Sequence, residues 1–317
     1  MALAHWFPRN CSAFSHDNER KSLSIPTTSP RPDGHLTLIL LTVAPGLAIP
    51  ETTVTTGAHA LATSVSFPVQ PSHPVQPVSG SAPLAVVTGV ASGIGRAVAH
   101  RLASDGWSVL GVDISEPPAD TPLTGCVRAD LATVAGIEDA VTQLAGTTAH
   151  AFVHAAGIMR ADNAQTDADA GTALWTLHVG AAHRLSRTLI PDMPDGRGRV
   201  VLLSSRAAQG RPGRGYYSAS KAALDGLARS LAAEHVARGI TVNVVAPAAT
   251  DTPQLRDPAR ADAPVRPLPF GRVIRPEEVA ATVAFLTSVD AGAITGQTIT
   301  QCGGASLVAS QSERSPT

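Results

Sequence analysis

From residue 83 onward, seven short apolar runs alternate with stretches of helical period, and this alternation most limits what the chain can fold into. The runs are "APLAVVTG", "WSVLGVD", "GCVRAD", "HAFVHAAG", "RGRVVLLSS", "ITVNVVAP" and "TGQTITQCGG". Each is too short for a buried helix and is bounded by glycine, proline or acidic residues, so each reads as a strand. Between them lie "IGRAVAHRLASDG", "VAGIEDAVTQLAG", a long stretch over about 168–190, "YYSASKAALDGLARSLAAEHV" and "RPEEVAATVAFLTS". Ile94, Val98 and Leu102 fall on one helical face, as do Leu224, Leu227 and Leu231. Pro276 opens the last helix with acids beside it. Strands alternating with such helices imply a parallel sheet covered on both faces. Right-handed crossovers then make it a doubly wound α/β sheet, the Rossmann fold, in one domain over residues 81–310 with a tail at 311–317.

Residues 1–80 differ in character. They are rich in Pro, Ser, Thr and His, as in "PVQPSHPVQPVSGSAP", and are expected to form a low-complexity, disordered extension. One apolar run, "LTLILLTVAPGLAIP" (36–50), is too short for a membrane span and contains Pro45 and Gly46. It begins too late for an ordinary export signal. A net charge of −1 offers no attraction for nucleic acid or an anionic membrane. Three scattered cysteines form neither a disulfide framework nor a zinc pattern, and the eleven histidines form no ligand cluster. A cytoplasmic protein with no metal is the expectation.

The first strand ends in "TGVASGIG", residues 88–95. Gly89, Gly93 and Gly95 permit a tight turn and a close approach of backbone to a pyrophosphate, and the following helix offers free N–H groups. Asp113 ends the second strand, where a carboxylate accepts hydrogen bonds from an adenosine ribose and repels a 2′-phosphate, favouring NAD over NADP. Asp130 ends "RAD" after the third strand, and "HAAG", His154 to Gly157, follows the fourth. Ligands of such sheets bind at the carboxyl ends of the strands, where all these segments fall.

The two tyrosines of the chain, Tyr216 and Tyr217, adjoin each other, and Lys221 is the only lysine after Lys21. Four residues apart on a helix, Tyr217 and Lys221 share a face. A cation there lowers the phenol pKa and makes tyrosine a usable acid or base near neutral pH.

Taken in order, "TGVASGIG", Asp113, "RADL", "HAAG", "VVLLSS", "YSASK", "VNVVAPAATDT", "RPEEVA" and "TGQTITQCGG" resemble the short-chain dehydrogenase/reductase family in its compact classical type, over about residues 83–306. The resemblance implies an oxidoreductase that moves a hydride between a secondary alcohol or ketone and a nicotinamide. Tyr217 would be the general acid/base, Lys221 would lower its pKa and hold the nicotinamide ribose, and Ser205 would bond the substrate oxygen, with Ser204 as the alternative serine. Tyr216 would pack or line the pocket. The cofactor would be held by Gly89, Ser92, Gly93, Ile94, Gly95, Asp113, Ile114, Asp130, Leu131, His154, Ala155, Ala156, Gly157, Tyr217, Lys221, Pro247, Thr250 and Thr252. A homodimer or homotetramer is implied.

Three positions depart from the family pattern: His154 stands for the asparagine of "NAAG", Ala248 for the glycine of "PG", and His178 for the asparagine of the proton relay. His178 either sustains the relay, since imidazole moves protons near pH 7, or merely fills space. Arg160, Arg206, Arg211 and Arg214 fall on loops at the catalytic edge, as a pull on an anionic substrate or as solvated rim residues. The segment 253–272, rich in proline, is expected to be an irregular substrate loop. Two other readings stand beside the NAD-dependent enzyme: a 3-oxoacyl-carrier-protein reductase using NADPH, and an NAD-binding sensor or scaffold impaired in catalysis.

Overall fold

The computed structural model describes residues 82–162, 167–256 and 267–307, together with four short strands nearer the N-terminus. The chain divides into two compact units, Met1–Ser79 and Gly80–Thr317. In the first, Lys21–Thr27 pairs antiparallel with Thr37–Val43, and Thr55–Gly57 pairs with Ala60–Ala62. The apolar run at 36–50 therefore contributes a strand, with Ile39 opposite Ile25. The rest of the expected extension, and the tail 311–317, lie outside the described residues.

The second unit is built on seven parallel strands: β1 (Leu84–Thr88), β2 (Ser108–Asp113), β3 (Gly125–Arg128), β4 (Ala151–His154), β5 (Arg199–Leu203), β6 (Thr241–Pro247) and β7 (Thr298–Gln301). Their order across the sheet is β7-β6-β5-β4-β1-β2-β3, which reverses direction between β1 and β4. That reversal is the switch point at which such sheets open a crevice for ligand. All residues of β5 and β6 are buried, whereas the edge strand β7 alternates exposed and half-buried. This is what two covered faces require of central strands.

The helices are α1 (Gly93–Ser104), α2 (Val134–Leu144), α3 (Asp167–Trp175), α4 (Ala182–Leu189), α5 (Gly215–His235) and α6 (Pro276–Thr287). Alternation along the strands divides the core between the two faces. Val86 joins the cluster beneath α2, α4 and α5, while its neighbours Ala85 and Val87 join the cluster beneath α1 and α6. Glu278 accepts from the Arg275 N–H at 2.8 Å and closes the first turn of α6 behind Pro276.

One expected element is divided. The long helix read over 168–190 opens into a wider π-helical turn at Thr176–Ala181, between α3 and α4, and ends in a 3-10 turn at Ile190–Asp192. Such wide turns inside α-helices are frequent at functional sites, and His178 lies inside this one. In the 253–272 segment, Pro253–Arg256 forms a single 3-10 turn, and residues 257–266 are outside the described residues.

Candidate active site

The turn after β1 is shaped by contacts that only glycine allows. A side chain on Gly95 would begin 2.1 Å from the Gly89 carbonyl oxygen, and one on Gly89 would meet the Ala156 backbone at 2.9 Å while its φ is +79°. The backbone after β1 thus packs directly on the backbone after β4. Ser92 occupies the N-cap of α1 without a side-chain cap bond, leaving first-turn N–H groups of that helix without a side-chain acceptor. At the end of β2, the Asp113 carboxylate is fixed by two backbone donors, Ala91 N–H at 2.9 Å and Ser115 N–H at 2.8 Å. Each oxygen keeps a lone pair for a further donor. Ile114, beside it, is exposed. Asp130 accepts from the Ala132 N–H at 3.0 Å and shapes the turn into α2, and Leu131 is buried in the core.

A cavity of about 520 Å³ lies at the carboxyl ends of β4, β5 and β6. It brings together Ile94, Ala155, Gly157, Ser205, Tyr217, Lys221, Pro247, Thr250 and Thr252 of the expected site. Met159, Leu255 and Ala305 also line it and carried no signal in the sequence beyond their neighbourhood. His154, His178, Asp113, Asp130 and the glycines of the first turn do not.

Tyr217 and Lys221 are presented by the first turns of α5, and both are buried. The Lys221 ammonium donates to the Leu203 carbonyl at the end of β5, at 2.8 Å. Burial depresses its pKa from 10.5 to about 7. The two candidate serines are distinguished by what they touch. Ser204 donates its hydroxyl to the Lys221 carbonyl oxygen at 2.7 Å, stitching β5 to α5. Ser205 caps the following turn by accepting from Ala207 N–H at 3.1 Å, which leaves its own hydroxyl proton to the cavity. Tyr216 is half exposed and packs on α3, where its ring would lie 2.9 Å from a side chain on Gly171.

The two histidines that depart from the family pattern are fully buried in the protein interior. His154 Nε2 lies 3.0 Å from the Leu177 carbonyl and Nδ1 lies 3.1 Å from Thr88 Oγ1. The carbonyl can only accept, so the network assigns the proton to Nε2. Thr88 Oγ1 in turn accepts from the N–H groups of Ala155 and Ala156, each at 3.0 Å. His154 therefore points away from the cavity and locks the ends of β1 and β4 to the π-helical turn. Burial, with Lys221 nearby, lowers its pKa from 6.5 to about 3.

His178 accepts from the Ile158 N–H on Nε2 at 3.3 Å, so its proton sits on Nδ1 and is donated to Ser220 Oγ at 2.9 Å. Ser220 passes its own hydrogen to the Tyr217 carbonyl at 3.0 Å. Burial first, and then the Lys221 charge, push the His178 pKa well below 6.5. Its ring meets that of Tyr217 edge to face, with centroids 5.7 Å apart. Gly157 lies between the two groups: a side chain there would stand 3.3 Å from both His178 Nε2 and Lys221 Nζ. Ser220 and Thr88 are the linking residues that pattern reading missed. The signal for Ser220 was its place between Tyr217 and Lys221 on the same buried helix face.

Residues 89–306 match the family described as enoyl-(acyl carrier protein) reductase. The chain is 35% identical over 247 residues to the short-chain reductase protein NovJ of Streptomyces niveus, covering 70% of this chain and 93% of that protein. It is also 35% identical over 241 residues to the 3-oxoacyl-(acyl-carrier-protein) reductase FabG of Escherichia coli, covering 71% and 98%.

The chain belongs to the short-chain dehydrogenase/reductase family.

Solved members of this family share the fold over most of the chain. A short chain dehydrogenase from Burkholderia cenocepacia in complex with NADP gives a TM-score of 0.64 at 33% identity, covering 71% of this chain and 98% of that one. A 3-ketoacyl-(acyl-carrier-protein) reductase from Brucella melitensis complexed with NADH gives 0.61 at 27%, covering 71% and 99%. Family members therefore carry either nicotinamide dinucleotide. The described residues hold no cluster of three or more His, Cys, Asp or Glu fit for a metal ion. No helix among them is long and apolar enough to cross a membrane.

Proposed function

We propose that this chain is an NAD-dependent oxidoreductase that interconverts a secondary alcohol and its ketone. The observation that carries the reading is the convergence of Ser205, Tyr217 and Lys221 on one cavity at the carboxyl ends of the strands. Gly89, Gly93, Gly95 and the start of α1 would hold the pyrophosphate, Asp113 the adenosine ribose, and Lys221 with Thr250 and Thr252 the nicotinamide end. When bound, the nicotinamide takes up or gives back the hydride.

The chain's own residues handle the proton. The Ser205 hydroxyl donates to the substrate oxygen and holds it toward Tyr217. In oxidation, the Tyr217 oxygen takes the alcohol proton as the carbinol hydrogen leaves as hydride; in reduction it returns that proton to the forming alkoxide. The Lys221 ammonium favours the tyrosinate by its charge. His178, neutral and with both ring nitrogens engaged, fits a positioning part better than a titrating one.

We favour NAD because a carboxylate at the end of β2, Asp113, would accept from the ribose hydroxyls and repel a 2′-phosphate. The arginines flanking this end of the sheet are paired elsewhere: Arg96 to Asp120 at 2.5 Å, Arg128 to Glu116 at 3.3 Å and to the Ile114 carbonyl. The resemblance to FabG favours a second reading, reduction of a carrier-linked 3-oxoacyl group with NADPH. A cytoplasmic homodimer or homotetramer remains our expectation.

Titrating the full chain with NADH and NADPH by fluorescence, and assaying secondary alcohols with NAD beside Tyr217→Phe, tests the proposal. Tighter NADH binding, with turnover abolished in the variant, is expected. Tighter NADPH binding would overturn the cofactor assignment, and turnover that survives in Tyr217→Phe would overturn the mechanism.

A further inference from the structure

The cavity wall is one-sided in charge. Among the described residues lining it, Arg206, Arg211 and Lys221 are the charged ones, and there is no Asp or Glu. The arginine side chains of this protein are otherwise frequently committed: Arg184 to Glu138, Arg187 to Glu234, Arg238 to Asp195 and Arg272 to Glu278. Arg206 and Arg211 are half-buried yet make no side-chain hydrogen bond or ion pair with a described residue. Of the four arginines that the sequence places at this edge, these two line the cavity. Arg160 turns back to the Met159 carbonyl at 3.0 Å, and Arg214 is buried behind the start of α5.

Their place in the chain keeps them close to the candidate catalytic residues. Arg206 directly follows Ser205, and Arg211 lies six residues before Tyr217 on the loop joining β5 to α5. Both line the same cavity as Ser205 and Tyr217. A guanidinium presents paired donors that match a carboxylate, and half-burial strengthens the attraction over that of a solvated rim. The rest of the lining is uncharged and mixes apolar groups, such as Ile158, Met159 and Leu268, with the hydroxyls and amide of Ser205, Thr250, Thr252 and Gln254.

We propose that Arg206 and Arg211 form an anion subsite, and that the substrates of this enzyme are hydroxy acids and oxo acids whose carboxylate is held there while the carbinol or carbonyl group faces Tyr217. This names the substrate class for the oxidoreductase reading above and rests on it.

The test compares hydroxy acids carrying the carbinol alpha, beta or gamma to the carboxylate, each beside its methyl ester, in oxidation by the full chain with NAD. A coenzyme A thioester of the same acyl chain forms a third arm. The free acid of at least one pair is expected to exceed its ester about tenfold or more in kcat/KM, since a charged hydrogen-bonded contact is worth about 1.5–3 kcal/mol. Arg206→Gln/Arg211→Gln is expected to erase most of that ratio through KM. Equal turnover of acids and esters would overturn the anion subsite while leaving the oxidoreductase reading intact. Preference for the thioester, with free acids poor, would assign the charge to a carrier-linked phosphate and overturn the proposal. If no alcohol turns over, calorimetry with the corresponding oxo acids keeps it testable. Binding that is lost in the double variant supports the subsite independently of the redox chemistry, and absence of binding overturns it.

Discussion

His178 Nδ1 lies 2.9 Å from Ser220 Oγ, and this hydrogen bond ties the π-helical turn to the helix that carries the candidate base. Because Ile158 N–H occupies the other ring nitrogen, the imidazole is held in one neutral tautomer. His178 is therefore not expected to contribute an ionisation to the pH profile of activity between about pH 5 and 9. Nitrogen NMR of labelled histidine should find one resonance of this neutral form that does not move over that range. His178→Ala leaves the Ile158 N–H without its acceptor and is expected to cost about 1–3 kcal/mol of stability. A chemical denaturation midpoint close to that of the parent would contradict the assignment.

Acid should expose the other buried imidazole. His154 titrates near 3 when folded and near 6.5 when unfolded. Between those values the unfolded chain binds more protons, so the contribution of this residue to stability is complete above about pH 6.5 and is lost as pH falls toward 3. The slope approaches about 1.4 kcal/mol per pH unit for one proton. His154→Asn removes the titrating group and should flatten the loss of melting temperature between about pH 6.5 and 4.5. Parallel curves for the two proteins would show that His154 is not the group responsible.

Lys221 should show the opposite side of the same linkage. Its folded pKa is about 7 against 10.5. The cost of its buried charge is complete below about pH 7 and is relieved as pH rises toward 10.5, because over that range the unfolded chain holds the extra proton. Lys221→Met is expected to abolish turnover by about a hundredfold or more. Relative to the parent, its melting temperature should stand higher near pH 6 than near pH 10. An unchanged difference between the two pH values would mean that the lysine is solvated in the folded protein.

Asp113→Ala should weaken NADH binding by about tenfold, the value of one to two hydrogen bonds to a charged group, while NADPH binding falls less or rises. Fluorescence titration reads both. Equal losses for the two dinucleotides would show that Asp113 only braces the turn at Ala91 and Ser115.

Gly95→Ala should remove dinucleotide binding altogether, since the added carbon would sit 2.1 Å from the Gly89 carbonyl and must push β1 and α1 apart. Binding within a few-fold of the parent would require a turn different from the one described.

The sheet was legible because its inner strands are buried on both faces and so appear as unbroken apolar runs, as in the five residues of β5. The glycine turn and the Tyr217–Lys221 pair were legible because each depends on spacing along the chain. His154 was harder. Read as part of "HAAG", it looked like a wall of the cofactor site, yet strand alternation places it on the same face as Phe152, with Val153 on the other. Its ring accordingly meets Phe152 at 6.2 Å and reaches Leu177 rather than the cavity. The arginines were legible only as a group. Which of them reach the cavity depends on how the loop between β5 and α5 folds back, and no local pattern encodes that. The π-helical turn left no mark either, because Leu177, Ala181, Leu185 and Leu189 keep the spacing of an ordinary helix.

That wide turn lets the helix answer to two masters. An α-helix turns about 100° per residue, so its first and last faces are bound in one rotational phase. Holding an additional residue within one turn breaks the phase: Leu185 and Leu189 seat in the core beneath α2 and α5, while His178 still reaches Ser220 and Gly171 still receives Tyr216. A chain one residue shorter here could satisfy the core or the base-bearing helix, and would have to forgo the other.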